Sequence, residues 1–314
     1  MKNSFSGFHP LVNMVYFLIV ILGCAFLLHP VCLGISLAAA VSYCCVLQGW
    51  KKTLKTVVCF ALPVMILSVL INPLFNHYGV TTLFYLQDGN PVTLESMLFG
   101  LVMALMLCAV ILWFQCYSRV MTSDKFICLF GRLIPALSLI ISMILRFLPQ
   151  FIRRSRVIEQ GQRGIGRDGS GSFRKKFRYG LQRFSILITW SLENAIQTGD
   201  SMKSRGYGLK GRTAYSIFRF TARDGLLLLL TTVPAGLFFA ACITGQVYAS
   251  FNPRIRISGW PLEATGLLLY LFYAFVCFLP VLLELRQAMV WQRQKKRIHR
   301  AGRLDFRLWE TENL

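Results

Sequence analysis

The sequence predicts an all-α, polytopic membrane protein of about six transmembrane helices interrupted by one large insert of long helices, and three observations carry that prediction. Of the 314 residues, 55% belong to the hydrophobic set and only 15% are charged, with a mean hydropathy of +0.55; a soluble domain carries about 25% charged residues. Six apolar runs approach the roughly 17 to 25 helical residues that cross a hydrocarbon core about 30 Å thick. The formal charge of +21 is concentrated between and after these runs.

The runs fall at about 11–28, 31–47, 54–74, 95–117, 225–244 and 264–285. Only Lys2 precedes the first, and no small-residue cleavage site follows it, so it reads as a retained span and not as a signal peptide. The second is the shortest and follows Pro30 closely, which leaves a full span and a re-entrant segment both open. Nine of the ten cysteines lie inside these runs and no CxxC spacing occurs, so they read as small buried hydrophobes and not as metal ligands.

Charge sets the expected topology, because Lys and Arg accumulate in cytoplasmic loops. Lys51, Lys52 and Lys55 separate the second and third runs, twenty Lys or Arg lie in 119–223, and eight lie in 286–307. The alternate loops are nearly free of them: 75–94 has none and 245–263 has only Arg254 and Arg256. Six spans with both termini cytoplasmic satisfy every loop. The chain then divides into an N-terminal membrane part (1–118), a cytoplasmic region (119–223), a C-terminal membrane part (224–285) and a basic tail (286–314). Such charge favours a bilayer with anionic lipids, at about 1 kcal/mol per basic residue near the surface, and no nucleic acid is needed to explain it. In the tail, Trp291, Lys295, Arg297 and Trp309 interleave aromatic and basic residues as an interfacial helix does.

The insert is too long to be a structureless connection. A first helix is expected from residue 134 to about 162, with Pro135 near its first position and an apolar stretch ending at Arg146. Pro149 inside the pattern favours a kink, after which Arg153, Arg154 and Arg156 make the helix polar. Glycines at 161, 164, 166, 169 and 171 then suggest a polar linker. No Gly-Lys-Ser/Thr follows and no strand precedes, so the linker is not a P-loop.

A second helix is expected from about 180 to 204, with Phe184, Leu187, Ile188, Leu192, Ala195, Ile196 and Met202 on one stripe. Lys203 and Arg205 suit the negative end of its dipole, and Gly206 suits a left-handed cap.

Here the sequence resembles the transmembrane T component of energy-coupling factor (ECF) transporters, the family that includes the cobalt-uptake membrane subunit. Leu192-Glu193-Asn194-Ala195 followed by Met202-Lys203-Ser204-Arg205-Gly206-Tyr207-Gly208 is similar to the family's Leu-Glu-x-Ala and Met-x-Ala-Arg-Gly-Tyr/Phe-Gly signature, with Ser204 for the usual Ala. Arg146-Phe147-Leu148-Pro149 resembles its earlier Arg-Phe/Tyr-Ile-Pro, and 158–162 resembles the Ile-x-x-Ala-Gln that leads to a first Ala-Arg-Gly. That triplet then falls on Gly164-Ile165-Gly166. Ile165 stands where arginine is expected, with Arg163 and Arg167 as the nearest basic residues. His9-Pro10 before the first span extends the resemblance.

The resemblance implies a non-enzymatic coupling subunit of an ECF-type ABC importer for micronutrients, in a bacterial or archaeal cell membrane. Its two coupling helices would cross in an X. Each helix end would enter a groove on one of two cytoplasmic ABC-type ATPase subunits, which bind the ATP, while the spans cradle a substrate-binding S component. Coupling would rest on Ser204, Arg205 and Gly206 at one end and on Gln162, Arg163, Gly164 and Arg167 at the other. Pro135, Arg146, Pro149, Leu192 and Glu193 would shape the helices. Leu187, Ile188, Leu192 and Ile196 would hold the helices to each other and to the S component. This chain would hold no cofactor, and the S component would choose the substrate.

The competing reading is a self-contained carrier or channel with a regulatory cytoplasmic domain. Such proteins place ionisable residues within spans, whereas Glu95, Asp224 and Glu284 lie at the edges of the runs. An enzyme is disfavoured by four scattered histidines, with no HExxH and no paired carboxylates.

Overall fold

Pro10 and Pro30 open the first two helices, α1 (Pro10–Phe26) and α2 (Pro30–Gln48). Proline fits a first helical position because its ring presets φ and its missing N–H would have no helical partner there. His9 caps α1 through its ring nitrogen Nδ1, which accepts the Leu11 N–H at 3.2 Å. Gly49, at φ +86°, turns the chain from α2 into α3 (Trp50–Phe75). A π-helical stretch, Val57–Ala61, interrupts α3. It contains Cys59, whose carbonyl the ring of Pro63 would otherwise strike in a regular α-helix.

Strands β1 (Thr82–Tyr85) and β2 (Pro91–Thr93) form an antiparallel hairpin that leads into α4 (Leu94–Val120). Then come α5 (Ser123–Gly131), α6 (Pro135–Gly164), α7 (Phe173–Ser204) and α8 (Ala222–Ile243). A second small hairpin, β3 (Ala249–Ser250) with β4 (Arg256–Ile257), precedes α9 (Ala264–Glu312). The structure, a computed structural model, describes residues 4–76, 79–85, 91–131, 135–166, 172–207, 209, 218–251, 256–257 and 264–312. The chain divides into two compact units, Met1–Thr122 with Arg219–Leu314, and Ser123–Phe218.

All six apolar runs are helical. Five helices are long and apolar enough to cross a membrane, and Pro10–Phe26 is a shorter apolar helix beside them. This is an all-α polytopic membrane protein. The second run forms a regular helix of 19 residues, long enough for a full span. The last run does not stop with its apolar residues: α9 continues for 49 residues, a rise of roughly 70 Å. The two hairpins are additions that hydropathy alone did not indicate. They follow α3 and α8 in loops poor in basic residues, and Phe99 on α4 meets Phe251 after β3 at a centroid distance of 5.9 Å.

Within the membrane unit, α4 packs against α1, α2 and α3, α1 against α8, and α2 against α9, with α8 and α9 adjacent. Five helices thus close a ring, while α3 leans on α4 and leaves most of its apolar surface uncovered. Inside the ring Tyr16, Phe17, Tyr43 and Trp113 interlock with Phe5, whose ring lies 5.1 Å from that of Tyr16 in an edge-on contact. Two of the polar side chains in this core are paired, as a medium without water favours, while the buried Tyr43 hydroxyl has no hydrogen-bond partner among the described residues. Trp113 Nε1 donates to Ser36 Oγ at 2.9 Å, and the Tyr16 hydroxyl donates to the Cys277 carbonyl at 3.1 Å.

The three edge carboxylates hold backbone. Glu284 accepts the Phe5 N–H at 3.1 Å, Asp224 accepts those of His9 at 2.9 Å and Thr221 at 2.8 Å, and Glu95 accepts that of Thr81 at 3.3 Å. Residues 5–9 are thereby clamped to α8 and α9 as a plug at one end of the bundle. Asp224→Ala removes both backbone contacts together with the Thr221 hydroxyl bond. The expected loss is about 2 kcal/mol or more, since bonds to a charged acceptor contribute about 1.5–3 kcal/mol each. Thermal unfolding in detergent and faster amide exchange at residues 5–9 are the measurements; an unchanged melting temperature would contradict the clamp.

Candidate functional site

The second unit is built on two long helices that sequence periodicity anticipates, with shifted limits. Helix α6 runs unbroken through Pro149 and extends past Gln162 to Gly164. Helix α7 begins at Phe173, seven residues before the expected start, and carries Gly180 in its interior. A glycine inside a helix costs about 1 kcal/mol relative to alanine. The run Arg174-Lys175-Lys176, made of good helix formers, offsets it. Helix α5 packs on α6 and has no counterpart in the sequence reading.

The crossing of α6 and α7 is polar and aromatic. Arg183 on α7 donates to the Ser155 carbonyl at 3.3 Å and to Glu159 Oε2 at 3.0 Å on α6. Trp190 meets Phe151 edge-on at 5.6 Å and lies under the Arg154 guanidinium at 5.5 Å. As α6 advances from 151 to 159, its partners on α7 recede from 190 to 183, so the helices are antiparallel where they cross. Their C-terminal ends therefore emerge on opposite sides of the crossing, about 14 Å and 27 Å from it at 1.5 Å rise per residue.

This corrects the expectation that Ile188, Leu192 and Ile196 bind the helices to each other. Leu192 is 62% and Ile196 is 68% exposed, and Ile188 is also exposed. The contact face is 183, 187, 190 and 194, half-buried at three- and four-residue spacing, roughly a quarter turn away. Phe173, Phe177, Leu181, Phe184, Ile188, Leu192 and Ile196 form a second, uncovered stripe along α7. Ile140, Ile144, Leu148 and Ile152 do the same on α6. Arg146, Pro149 and Glu193 are exposed as well, and Pro135 is the first residue of α6.

Both helices close on a left-handed glycine. In α7 the Gly206 N–H bonds to the Lys203 carbonyl at 2.9 Å and the Tyr207 N–H to that of Met202 at 3.0 Å, with Gly206 at φ +80°. This paired arrangement satisfies carbonyls that a helix end leaves open. In α6 Gly166, at φ +78°, likewise bonds to the Arg163 carbonyl at 3.0 Å. Aligning the two left-handed glycines matches Ile165 with Arg205, Gly164 with Ser204, and Arg163 with Lys203. The exposed Arg205 thus has as its counterpart an isoleucine that is 66% exposed. Arg163 is held one turn back on Glu159 at 2.8 Å, and Gln162 is half-buried. Arg167 lies outside the described residues.

The residues that the sequence reading missed are Glu159, Arg183 and Trp190. Arg183 and Trp190, seven apart on one face, were a readable signal, outweighed there by the longer apolar stripe. Among the described residues no group of His, Cys, Asp or Glu could hold a metal ion.

Comparison with known proteins finds relatives over part of the chain. The chain is 34% identical over 95 residues to the energy-coupling factor transporter transmembrane protein EcfT of Lactococcus lactis, covering 30% of this chain and 36% of that one. It is 31% identical over 112 residues to EcfT of Bacillus selenitireducens (35% and 40%) and 33% over 103 residues to EcfT of Lactobacillus helveticus (32% and 37%). Over about a third of its length this chain resembles EcfT. The matched part spans well under half of each EcfT relative, and no family model matches the chain.

Gly206→Ala tests the cap. A Cβ there would meet Leu209 Cδ1 at 3.0 Å, whereas at Gly166 nothing lies within 4 Å. Both substitutions carry the left-handed penalty of about 1–2 kcal/mol, and Gly206→Ala adds the clash. Hydrogen exchange of the last-turn amides should accelerate more in Gly206→Ala than in Gly166→Ala. Equal protection in both variants and the parent would contradict the cap geometry.

Proposed function

We propose that this chain is the membrane coupling subunit of an ECF-type ABC importer. Two cytoplasmic ATPase subunits bind and hydrolyse ATP; their closing motion enters through the ends of α6 and α7 and reorients a membrane-embedded S component, which selects a vitamin, metal ion or other small nutrient. The chain itself performs no chemistry and holds no cofactor. The basic loops argue for a cell-membrane orientation with both termini and the second unit in the cytoplasm.

The observation that carries the proposal is the exposed Arg205 on a helix end closed by Gly206. A guanidinium held there forms paired bonds to acidic groups in a groove, and the neighbouring glycine lets partner backbone approach closely. The antiparallel crossing directs the two ends apart, as engagement of two separate subunits requires. Their chemistry differs, because Ile165 sits at the cap position of Arg205. The two grooves are therefore expected to differ, with an acidic lining facing Arg205 and an apolar one facing Ile165. The uncovered stripes on α6 and α7 are suited to an apolar membrane partner such as the S component.

A self-contained carrier is disfavoured by the edge carboxylates, since Glu95, Asp224 and Glu284 each accept backbone N–H groups. None stands as an ion-relay group along a span.

Arg205→Glu should reduce copurification of the ATPases by about tenfold or more and abolish uptake, as reversal of a paired interface charge does. Ile165→Glu should weaken the other contact, while Arg163→Gln should have a smaller effect because Arg163 is already engaged by Glu159. Full retention of ATPases and uptake by Arg205→Glu would overturn the coupling assignment.

A further inference from the structure

Where α8 begins and α9 leaves the helix ring, an open cleft of about 680 Å³ lies in the membrane unit. Arg223 and Arg286 line it from two different helices, with Gln287 between an apolar wall of Phe8, Val290 and Trp291. The cleft gathers positive charge without matching acid. Among the described residues the ion pairs are both made by Glu159, in the other unit. The carboxylates nearest in sequence to the two arginines bond to backbone: Asp224 holds the His9 and Thr221 N–H groups, and Glu284, two residues before Arg286, holds that of Phe5. With these acids turned to the backbone, neither guanidinium group beside the opening makes an ion pair among the described residues.

The position of the cleft along α9 indicates what neutralises them. From 264 to 285 the helix has no Lys or Arg; from Arg286 onward it has eight in the rest of the chain. The cleft straddles that boundary, the level at which a bilayer changes from hydrocarbon to head groups, and Trp291 is a residue type favoured at that depth. On the adjoining face of α9, Leu282, Leu285 and Met289 are exposed. A free inorganic anion would pair with the arginines but leave this wall uncovered.

We propose that the cleft binds the phosphate of an anionic phospholipid, with Arg223 and Arg286 on the phosphate oxygens, Gln287 donating to the head group, and the acyl chains lying along Leu282, Leu285 and Met289. Guanidinium groups pair with phosphate through two parallel N–H bonds. The site differs from a diffuse attraction of basic residues to the membrane surface because it uses two named arginines on separate helices.

The test uses the full chain in nanodiscs of phosphatidylcholine with a minor share of phosphatidylglycerol, followed by native mass spectrometry of retained lipid. Arg223→Gln with Arg286→Gln should lower retained phosphatidylglycerol by about tenfold. Arg293→Gln with Lys295→Gln, the same charge change outside the cleft, should leave retention within about twofold. If the first pair does not yield folded protein, Arg286→Gln alone should still lower retention by about threefold. Equal losses from both pairs would replace the site with a diffuse surface charge, and no loss from the cleft variants would overturn it. Binding of inorganic phosphate with no retained lipid would also overturn it, in favour of a soluble anion. None of these readouts requires the ATPases, so the result is independent of coupling through Arg205.

Discussion

The cost of placing charge in hydrocarbon governs this molecule. A single ionised side chain at mid-bilayer costs several kcal/mol, and the six apolar helices keep almost all of theirs at the edges. Once charge is expelled from the spans, the acids that remain at the edges become fasteners for backbone, and the bases collect in the second unit and along the far half of α9. The ring of helices can then be held by aromatic interlocking around Trp113 and by a few hydrogen bonds such as that from Trp113 to Ser36, with no ion pair inside it among the described residues.

The same expulsion suits the coupling surface proposed above, which lies at helix ends. A helix end supplies open carbonyls, a dipole and, with a left-handed glycine, room for close approach. Helices α6 and α7 each close on a left-handed glycine but place different residues before it, Ile165 and Arg205. The left-handed glycine is thus a repeated device, and chemical identity is added one side chain at a time. Their crossing, fixed by Arg183, Glu159 and Trp190, leaves the apolar stripes free.

Much of this was legible in the sequence because the strongest signals are long and periodic. The six apolar runs, the two amphipathic helices and the glycine after Arg205 each follow from residue order alone. The hairpins, α5 and the true start of α7 were not legible. The hairpins involve few residues, α5 is only nine residues long, and Gly180 resembles a boundary although the basic run before it sustains the helix. The crossing was misread for another reason: hydrophobicity predicts that a stripe is covered, but not by which partner. Ile188, Leu192 and Ile196 are apolar without being the face that meets α6.

The plug formed by residues 5–9 reaches its anchors 215 and 279 positions further along the chain. During synthesis those residues emerge before α1, yet Asp224 and Glu284 arrive only with α8 and α9. The segment that precedes α1 is thus anchored only after α8 and α9 are made. Closure of the bundle reports that α8 and α9 have been inserted, so a chain interrupted after α4 keeps Phe5 without the carboxylate that fixes it.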